Sequence, residues 1–208
     1  MKKCLVFTSL VDGLSRMNPI RRSDYDLIIT ADGGLKIADY FRIEPDLLIG
    51  DYDSCEQPKD REVIKLPTRK DMTDSEAAVD LAVQKGAEDI TMVGGLGGRF
   101  DHTMGNLGLL AKYSASLPGR FQIIDGFNRI FLADPGSVTV KKDGYHYLGI
   151  AAYDSPVTGL TLQGTAYPLS DYTLDNRTTL GASNEIPGKE AVITFRSGRL
   201  LIIQSNEA

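Results

Sequence analysis

Tryptophan is missing from this 208-residue chain, and cysteine and histidine occur only twice each. Cys4 and Cys55 make one possible pair and no metal-ligand spacing, which removes Cys-rich zinc centres and favours a reducing compartment. No Lys/Arg run is dense enough to form a nucleic-acid stripe, and the formal net charge of −5 argues against such a partner altogether. Long apolar runs are lacking too, so no segment approaches a bilayer span. The opening "MKKCLVFTSLVDG" starts like a signal peptide but meets Asp12-Gly13 after a few apolar residues, with no small-residue cleavage site. It is read as a first strand. What remains is an ordinary globular composition, 42% hydrophobic and 25% charged, long enough for one large domain or two small ones. These absences lead to the expectation of a soluble, cytoplasmic protein that engages neither nucleic acid nor membrane.

Along the first half, short apolar runs alternate with Gly/Asp-rich turns and amphipathic segments. "CLVFTS", "DLIIT", "DLLIG", "EVIKL", "DITMVG" and "FQIID" read as strands. Between them, "GLKIADYF", "DSEAAVDLAVQKG" and "DHTMGNLGLLAKYSA" carry apolar residues at helical spacing. In the second of these, Ala77, Ala78, Leu81 and Ala82 form the stripe and Gly86 the stop. Such alternation specifies an α/β fold, a mostly parallel sheet with helices on both faces. Near residue 128 the pattern changes to short β-rich runs: "NRIFLAD", "SVTVK", "YHYLGIAAY", "LTLQGTAYPL", "AVITF" and "LLIIQS". They leave no room for a long helix, so a smaller C-terminal all-β sandwich is expected, with domains at 1–130 and 131–208. The last two runs flank "RSGR", whose Ser197-Gly198 centre predicts a hairpin.

In an open parallel sheet, ligands bind beyond the carboxyl ends of the strands. "DLIIT" is followed by Asp32, "DLLIG" by Asp51 and Asp53, "EVIKLPT" by Asp71 and Asp74, and "DITMVG" by Arg99 and Asp101. Four successive strand ends thus deliver charged residues to one edge. Singly, each acid has a plainer reading: Asp32 as a turn or cap, Thr73 with Glu76 as a capping box, Asp101 as an N-cap, Asp51 and Asp53 as turn residues. Together their mutual repulsion calls for a divalent cation, and all-oxygen ligands select Mg²⁺, Mn²⁺ or Ca²⁺ over zinc. Mg²⁺ fills its shell with water and phosphate oxygens, so a phosphate ligand follows. "GGLGGR" (residues 94–99) is either a flexible strand-to-helix turn or a glycine cradle whose N–H groups approach phosphates. It is neither a Walker A loop nor a complete Gly-x-Gly-x-x-Gly. Arg99 and Lys70, in these same loops, either offset phosphate charge or solvate the surface. His102 reads as a helix-start residue and His146 as a strand residue.

"ADGG", "PDLLIGDYDS", "KDMTD" and "GGLGGRFDH", in this order and spacing, together with "SNE" (Ser183-Asn184-Glu185), resemble thiamine pyrophosphokinase (thiamine diphosphokinase). The resemblance runs from about residue 31 to 185, nearly the whole chain. It implies an α/β catalytic domain followed by a β-sandwich, and a homodimer with active sites in clefts between subunits. It also implies transfer of the terminal diphosphate of ATP to the hydroxyethyl group of thiamine, with release of AMP. Carried over by motif, Asp51, Asp53 and Asp74 would hold Mg²⁺ against the ATP phosphates. Asp32, Gly33, Asp71 and Thr73 would lie beside them, with Lys70, Gly95, Gly97 and Gly98 serving the nucleotide. Arg99 and Asp101 would belong to the phosphate and thiamine site, and Ser183 and Asn184 would bind thiamine. Members of the family often set a tryptophan against the pyrimidine ring. With none here, a tyrosine such as Tyr167 or Tyr172 is the expected stacking surface. "SNEI" replaces a more usual aromatic ending, and Tyr52 stands where the family commonly has Phe.

The chemistry fits this expectation. The thiamine hydroxyl must attack the β-phosphorus of ATP with AMP leaving in line, which needs alignment and charge neutralisation more than covalent catalysis. Arg99 and the Gly94–Gly98 amides would stabilise the developing charge, and Asp71 or Asp101 would accept the hydroxyl proton. Competing expectations keep the phosphate–metal site and change the rest. They are a pyrophosphokinase for a hydroxymethylpterin-like alcohol, a nucleotide-sugar transferase, and a non-catalytic nucleotide or thiamine sensor.

Overall fold

The six apolar runs of the first half all become strands, and all run in the same direction. The computed structural model describes residues 1–52, 58, 61–67 and 71–207, so Asp53, Cys55 and Lys70 lie outside the described residues. The chain divides into two units, Met1–Gly126 and Phe127–Ala208. In the first unit the elements are β1 (Lys3–Phe7), β2 (Leu27–Ala31), α1 (Leu35–Tyr40), β3 (Leu47–Gly50), β4 (Val63–Lys65), α2 (Asp74–Gln84), β5 (Asp89–Val93), α3 (Phe100–Tyr113) and β6 (Phe121–Ile124). The strands lie in the order β6-β5-β1-β2-β3-β4, every adjacent pair parallel.

Both faces of this sheet are covered, which is why its strands read as near-continuous apolar runs. Side chains alternate faces along a strand. Leu5 and Phe7 of β1 cluster with Ile28 of β2, Ile37 and Ala38 of α1, and Val11, Leu14 and Met17 from the β1–β2 connection. Cys4 and Val6, equally buried, project from the opposite face. There α2 touches β1, β2 and β3 and packs against α3. Helix α2 buries Ala77, Ala78, Val79 and Ala82, so Val79 takes the place expected of Leu81. Of the expected capping box one half is present. Thr73 Oγ1 accepts the Glu76 N–H at 3.2 Å, whereas the Glu76 carboxylate turns to Lys112 Nζ at 3.0 Å.

The second unit holds β7 (Asn128–Ala133), β8 (Gly136–Lys141), β9 (Tyr147–Ala152), β10 (Val157–Gln163), β11 (Leu169–Leu174), β12 (Asn184–Glu185), β13 (Glu190–Phe195) and β14 (Leu200–Ser205). They form two antiparallel layers, β12-β9-β14-β7 and β11-β10-β13-β8. One core joins the layers: Phe131, Ile150 and Ile202 from the first meet Leu160, Ile193 and Phe195 from the second. This is a sandwich.

Two local expectations fail here. "LTLQGTAYPL" is not one run but the end of β10, a turn, and the start of β11. Nor do β13 and β14 pair as a hairpin: β13 pairs with β10 and β8, β14 with β7 and β9. "RSGR" instead carries the chain from one layer to the other. Gly198 sits at φ 84, where a Cβ would come within 2.6 Å of the Pro156 carbonyl oxygen. Both strands turn alternate apolar residues to the same core, and two facing layers satisfy that demand better than one ribbon.

Candidate active site

The strand order reverses at β1. β2, β3 and β4 follow on one side of it, β5 and β6 on the other. Connections from β1 and β5 leave toward opposite faces, and such a point opens a crevice at the carboxyl edge. A cleft of about 230 Å³ lies there. Its walls are Thr8, Ser9 and Leu10 after β1, Gly95, Gly97 and Arg99 after β5, Ser75 near the start of α2, and His102 and Asn106 of α3.

The turn between β5 and α3 is built from glycines that adopt left-handed conformations: Gly94, Gly95, Gly97 and Gly98 have φ of 89, 82, 78 and 62°. A side chain at Gly94 would drive a Cβ to 2.2 Å from the Leu10 carbonyl oxygen, so the two strand-end loops can touch only with glycine there. Not every amide of this turn faces a ligand. Gly94 N–H donates to Ile124 O at 2.8 Å and Gly95 N–H to Leu10 O at 2.9 Å. That leaves Leu96, Gly97 and Gly98, whose N–H groups have no partner among the described residues, and the last two are exposed.

The expected acids among the described residues lie along the same edge. Asp32 opens a short 3-10 turn after β2 in a left-handed conformation, φ 48°. The Asp32 backbone abuts the end of β3, because a Cβ on Gly50 would lie 3.1 Å from Asp32 Cα and 3.2 Å from the Tyr52 ring. Tyr52, between Asp51 and Asp53, is left-handed too, φ 57°. Such conformations in non-glycine residues cost energy and cluster at functional sites. Gly33 packs against Ser9 of the cleft wall. Asp71 is exposed, Thr73 caps α2, and Asp74 is its first residue, next to the cleft-lining Ser75.

Asp101 is not an N-cap. It lies in the first turn of α3 and holds Arg99 through two bonds, Nη2 to Oδ2 at 2.5 Å and Nε to Oδ1 at 3.2 Å. The hydrogen bond from Arg99 holds the Asp101 carboxyl below its ordinary range, aided by the His102 N–H. Asp101 in return raises the already high Arg99 value. Both side chains are well exposed, 74% and 64%, so a competing anion can reach the guanidinium.

Among the described residues no three His, Cys, Asp or Glu gather into a group able to hold a metal alone. The donor set still fits Mg²⁺ shared with a phosphate ligand. Asp51 and Asp74 are oxygen donors on this edge, and Mg²⁺ needs only one or two protein carboxylates when phosphate and water complete its shell.

In the second unit Ser183, left-handed at φ 57°, lines a cleft of about 390 Å³ with Tyr147, Thr178, Thr179 and Ser205. Asn184 does not line it. The buried Asn184 side chain donates to Tyr167 O at 2.8 Å and accepts from Tyr167 N at 3.0 Å and Glu185 N at 2.8 Å. It holds Tyr167, whose side chain stands 67% exposed. Sequence reasoning missed Thr8, Ser9, Leu10, Ser75 and Asn106. For Asn106 a signal existed: it falls on the buried register of α3 with Leu109, Leu110 and Tyr113, a polar residue where an apolar one is expected. For Thr8–Leu10 the signal is the strand order, which a single sequence does not carry.

Comparison with known proteins agrees with this division. The family described as thiamin pyrophosphokinase, catalytic domain, matches residues 21–118. That described as thiamin pyrophosphokinase, vitamin B1 binding domain, matches residues 137–200. The chain is 31% identical over 166 residues to thiamine pyrophosphokinase of Bacillus subtilis, covering 76% of this chain and 77% of that one. The crystal structure of thiamine pyrophosphokinase from Bacillus subtilis superposes with a TM-score of 0.85 at 27% identity, covering 100% of both chains. That of a thiamin pyrophosphokinase family protein from Enterococcus faecalis does so with a TM-score of 0.85 at 28% identity, again over 100% of both.

Proposed function

The chain belongs to the thiamin pyrophosphokinase family, and on that premise we propose how its residues divide the work of diphosphate transfer from ATP to thiamine. The observation that carries the proposal is the cleft at the β1–β5 reversal, with a glycine turn and an exposed arginine in its wall. The polyphosphate lies along this turn, where the Gly97 and Gly98 amides and the N-terminus of α3 favour negative charge. Arg99 exchanges Asp101 for a phosphate oxygen as the nucleotide enters. Asp51, Asp53 and Asp74 would hold Mg²⁺, with Asp32 and Asp71 beside them. When bound, the ion neutralises the phosphate charge that would otherwise repel the attacking hydroxyl.

The thiamine hydroxyl needs a proton acceptor. Asp71, exposed just ahead of α2, and Asp101, freed once Arg99 turns to the phosphate, are the candidates for that role. Thiamine is held by the second unit, with Ser183 in its cleft wall and the exposed Tyr167 ring as the stacking face. Asn184 supports Tyr167 and does not touch the ligand. The enzyme works as a cytoplasmic homodimer with its active sites at the subunit interface. The exposed Phe100 and Met104, four residues apart on α3, supply an apolar stripe suited to such a contact.

The test is AMP release from ATP and Mg²⁺, with and without thiamine. Thiamine-dependent AMP formation that stops in excess EDTA is expected. AMP formation indifferent to thiamine would overturn the acceptor, and full rate in EDTA would overturn the metal. Asp53→Asn should largely abolish turnover at unchanged thermal stability, and near-normal turnover in that variant would remove Asp53 from the metal set.

A further inference from the structure

Asn106 is 5% exposed, sits two turns into α3, and reaches back to the turn that precedes its own helix. Its Nδ2 donates to Gly95 O at 2.8 Å. The fit is mutual, since a Cβ on Gly95 would lie 2.6 Å from that nitrogen. One helical turn earlier, Thr103 Oγ1 donates to Gly97 O at 3.2 Å. Side chains three apart on a helix share a face, so two neighbouring residues of α3 grip two alternate carbonyls of the glycine turn.

Peptide planarity gives this grip a consequence. In a trans peptide the C=O and the following N–H point in opposite directions. Drawing the Gly95 carbonyl toward Asn106 turns the Leu96 N–H away from it, and drawing the Gly97 carbonyl toward Thr103 does the same for the Gly98 N–H. Without these bonds, glycines at positive φ have many other orientations at little cost, and either peptide could flip a carbonyl toward the anion.

We propose that Asn106 and Thr103 are positioning residues for diphosphate transfer, locking the peptides of the Gly94–Gly98 turn so that N–H groups and not carbonyl oxygens meet the polyphosphate. The proposal rests on the reading of the β1–β5 cleft as the polyphosphate site. Asn106 keeps a second capability: its Oδ1 has no partner among the described residues and lies in the cleft wall, where it can accept from a bound group.

The experiment is steady-state AMP formation by the full chain with ATP, Mg²⁺ and thiamine, for wild type, Asn106→Asp, Asn106→Ala, Thr103→Val and Thr103→Ser, each with a thermal melt. Asn106→Asp keeps the shape and replaces the donor by a carboxylate. It should lower kcat roughly tenfold to hundredfold, the scale of lost alignment. The KM for thiamine should move less than about threefold. Thr103→Val, at a half-buried site with little folding risk, should lose rate in the same direction, and Thr103→Ser, which keeps the hydroxyl, should restore it. Wild-type kcat in Asn106→Asp and Thr103→Val would overturn the positioning role while leaving the functional reading intact. A loss confined to thiamine KM would overturn it as well. If the wild-type chain itself forms no thiamine-dependent AMP, the functional reading fails first and the positioning role falls with it.

Discussion

Each unit of this protein contains one buried asparagine that holds a backbone segment, and the two are committed to very different degrees. Asn184 in the sandwich makes three bonds, to both backbone groups of Tyr167 and to its own neighbour, so its amide is close to saturated. Asn106 in the parallel unit makes one, to Gly95, and leaves its oxygen in a cleft wall. The same contrast recurs in two exposed ion pairs, each spanning two residues. Arg177 is held by Asp175 through Nη2 and Nε, and its own N–H donates to that carboxylate at 2.9 Å. Arg99, held by Asp101 through side-chain bonds alone, stands at a cleft that Thr8, Ser9, Ser75 and Asn106 also line. In the sandwich, polar groups are spent on the fold. At the carboxyl edge of the parallel sheet they retain valence for something else, and unused capacity beside a concavity is the better mark of a site.

The largest test of that contrast is the pair of arginines. Arg99→Ala should lower kcat/KM for AMP formation by roughly 10²–10³, or about 3–4 kcal/mol, the cost of losing a charge stabiliser. Arg177→Ala should change it less than about twofold. Next come the asparagines, compared by urea denaturation. Asn184→Ala strands two backbone groups of Tyr167 and should cost about 2–3 kcal/mol, while Asn106→Ala removes one bond and should cost about 1 kcal/mol. A rate loss in Asn184→Ala as large as that in Asn106→Ala would break the comparison. A smaller effect comes from Thr30 of β2, whose hydroxyl is fully buried without a partner among the described residues. Thr30→Val should be neutral or stabilising by up to about 1 kcal/mol.

The smallest effect concerns acid. A carboxyl with a lowered folded pKa contributes stability that is present above its unfolded value and is lost as pH falls through the folded one. For Asp175, lowered from 3.8 to about 2 mainly by hydrogen bonding from Arg177, that window is set. For Asp101 the loss begins at 3.8 and continues below it. Melting temperatures measured down through this range should fall less steeply in Arg177→Ala and in Arg99→Ala than in wild type. An unchanged slope would show that neither pair contributes.

Much of this was legible because α/β units write their periodicity plainly. Strands buried on both faces, such as Leu27–Ala31, cannot be mistaken for loops, and parallel strands carry their following residues to one edge. Asp32, Asp51, Asp74 and Arg99 could be placed there before any coordinates. The strand order could not, because "CLVFTS" reads the same whether β5 or β2 lies beside it, and so Thr8–Leu10 went unnoticed. In the sandwich the local signal misled. "RSGR" has good hairpin chemistry, yet the packing of Ile193 and Ile202 on opposite sides of one core decides the path. Asn184 was found by its motif, which carries no sign of the bonds it makes to Tyr167.

The crossing at "RSGR" has a consequence for how the second unit is made. β14 lies between β7 and β9, strands that precede it by dozens of residues, and it pairs with both along six positions. As the chain emerges from a ribosome, β7 and β9 are available long before their shared neighbour. Their inner edges stay unpaired until Leu200–Ser205 is released. Such a late central strand means slow, non-local closure and an interval in which two open edges can recruit the wrong partner.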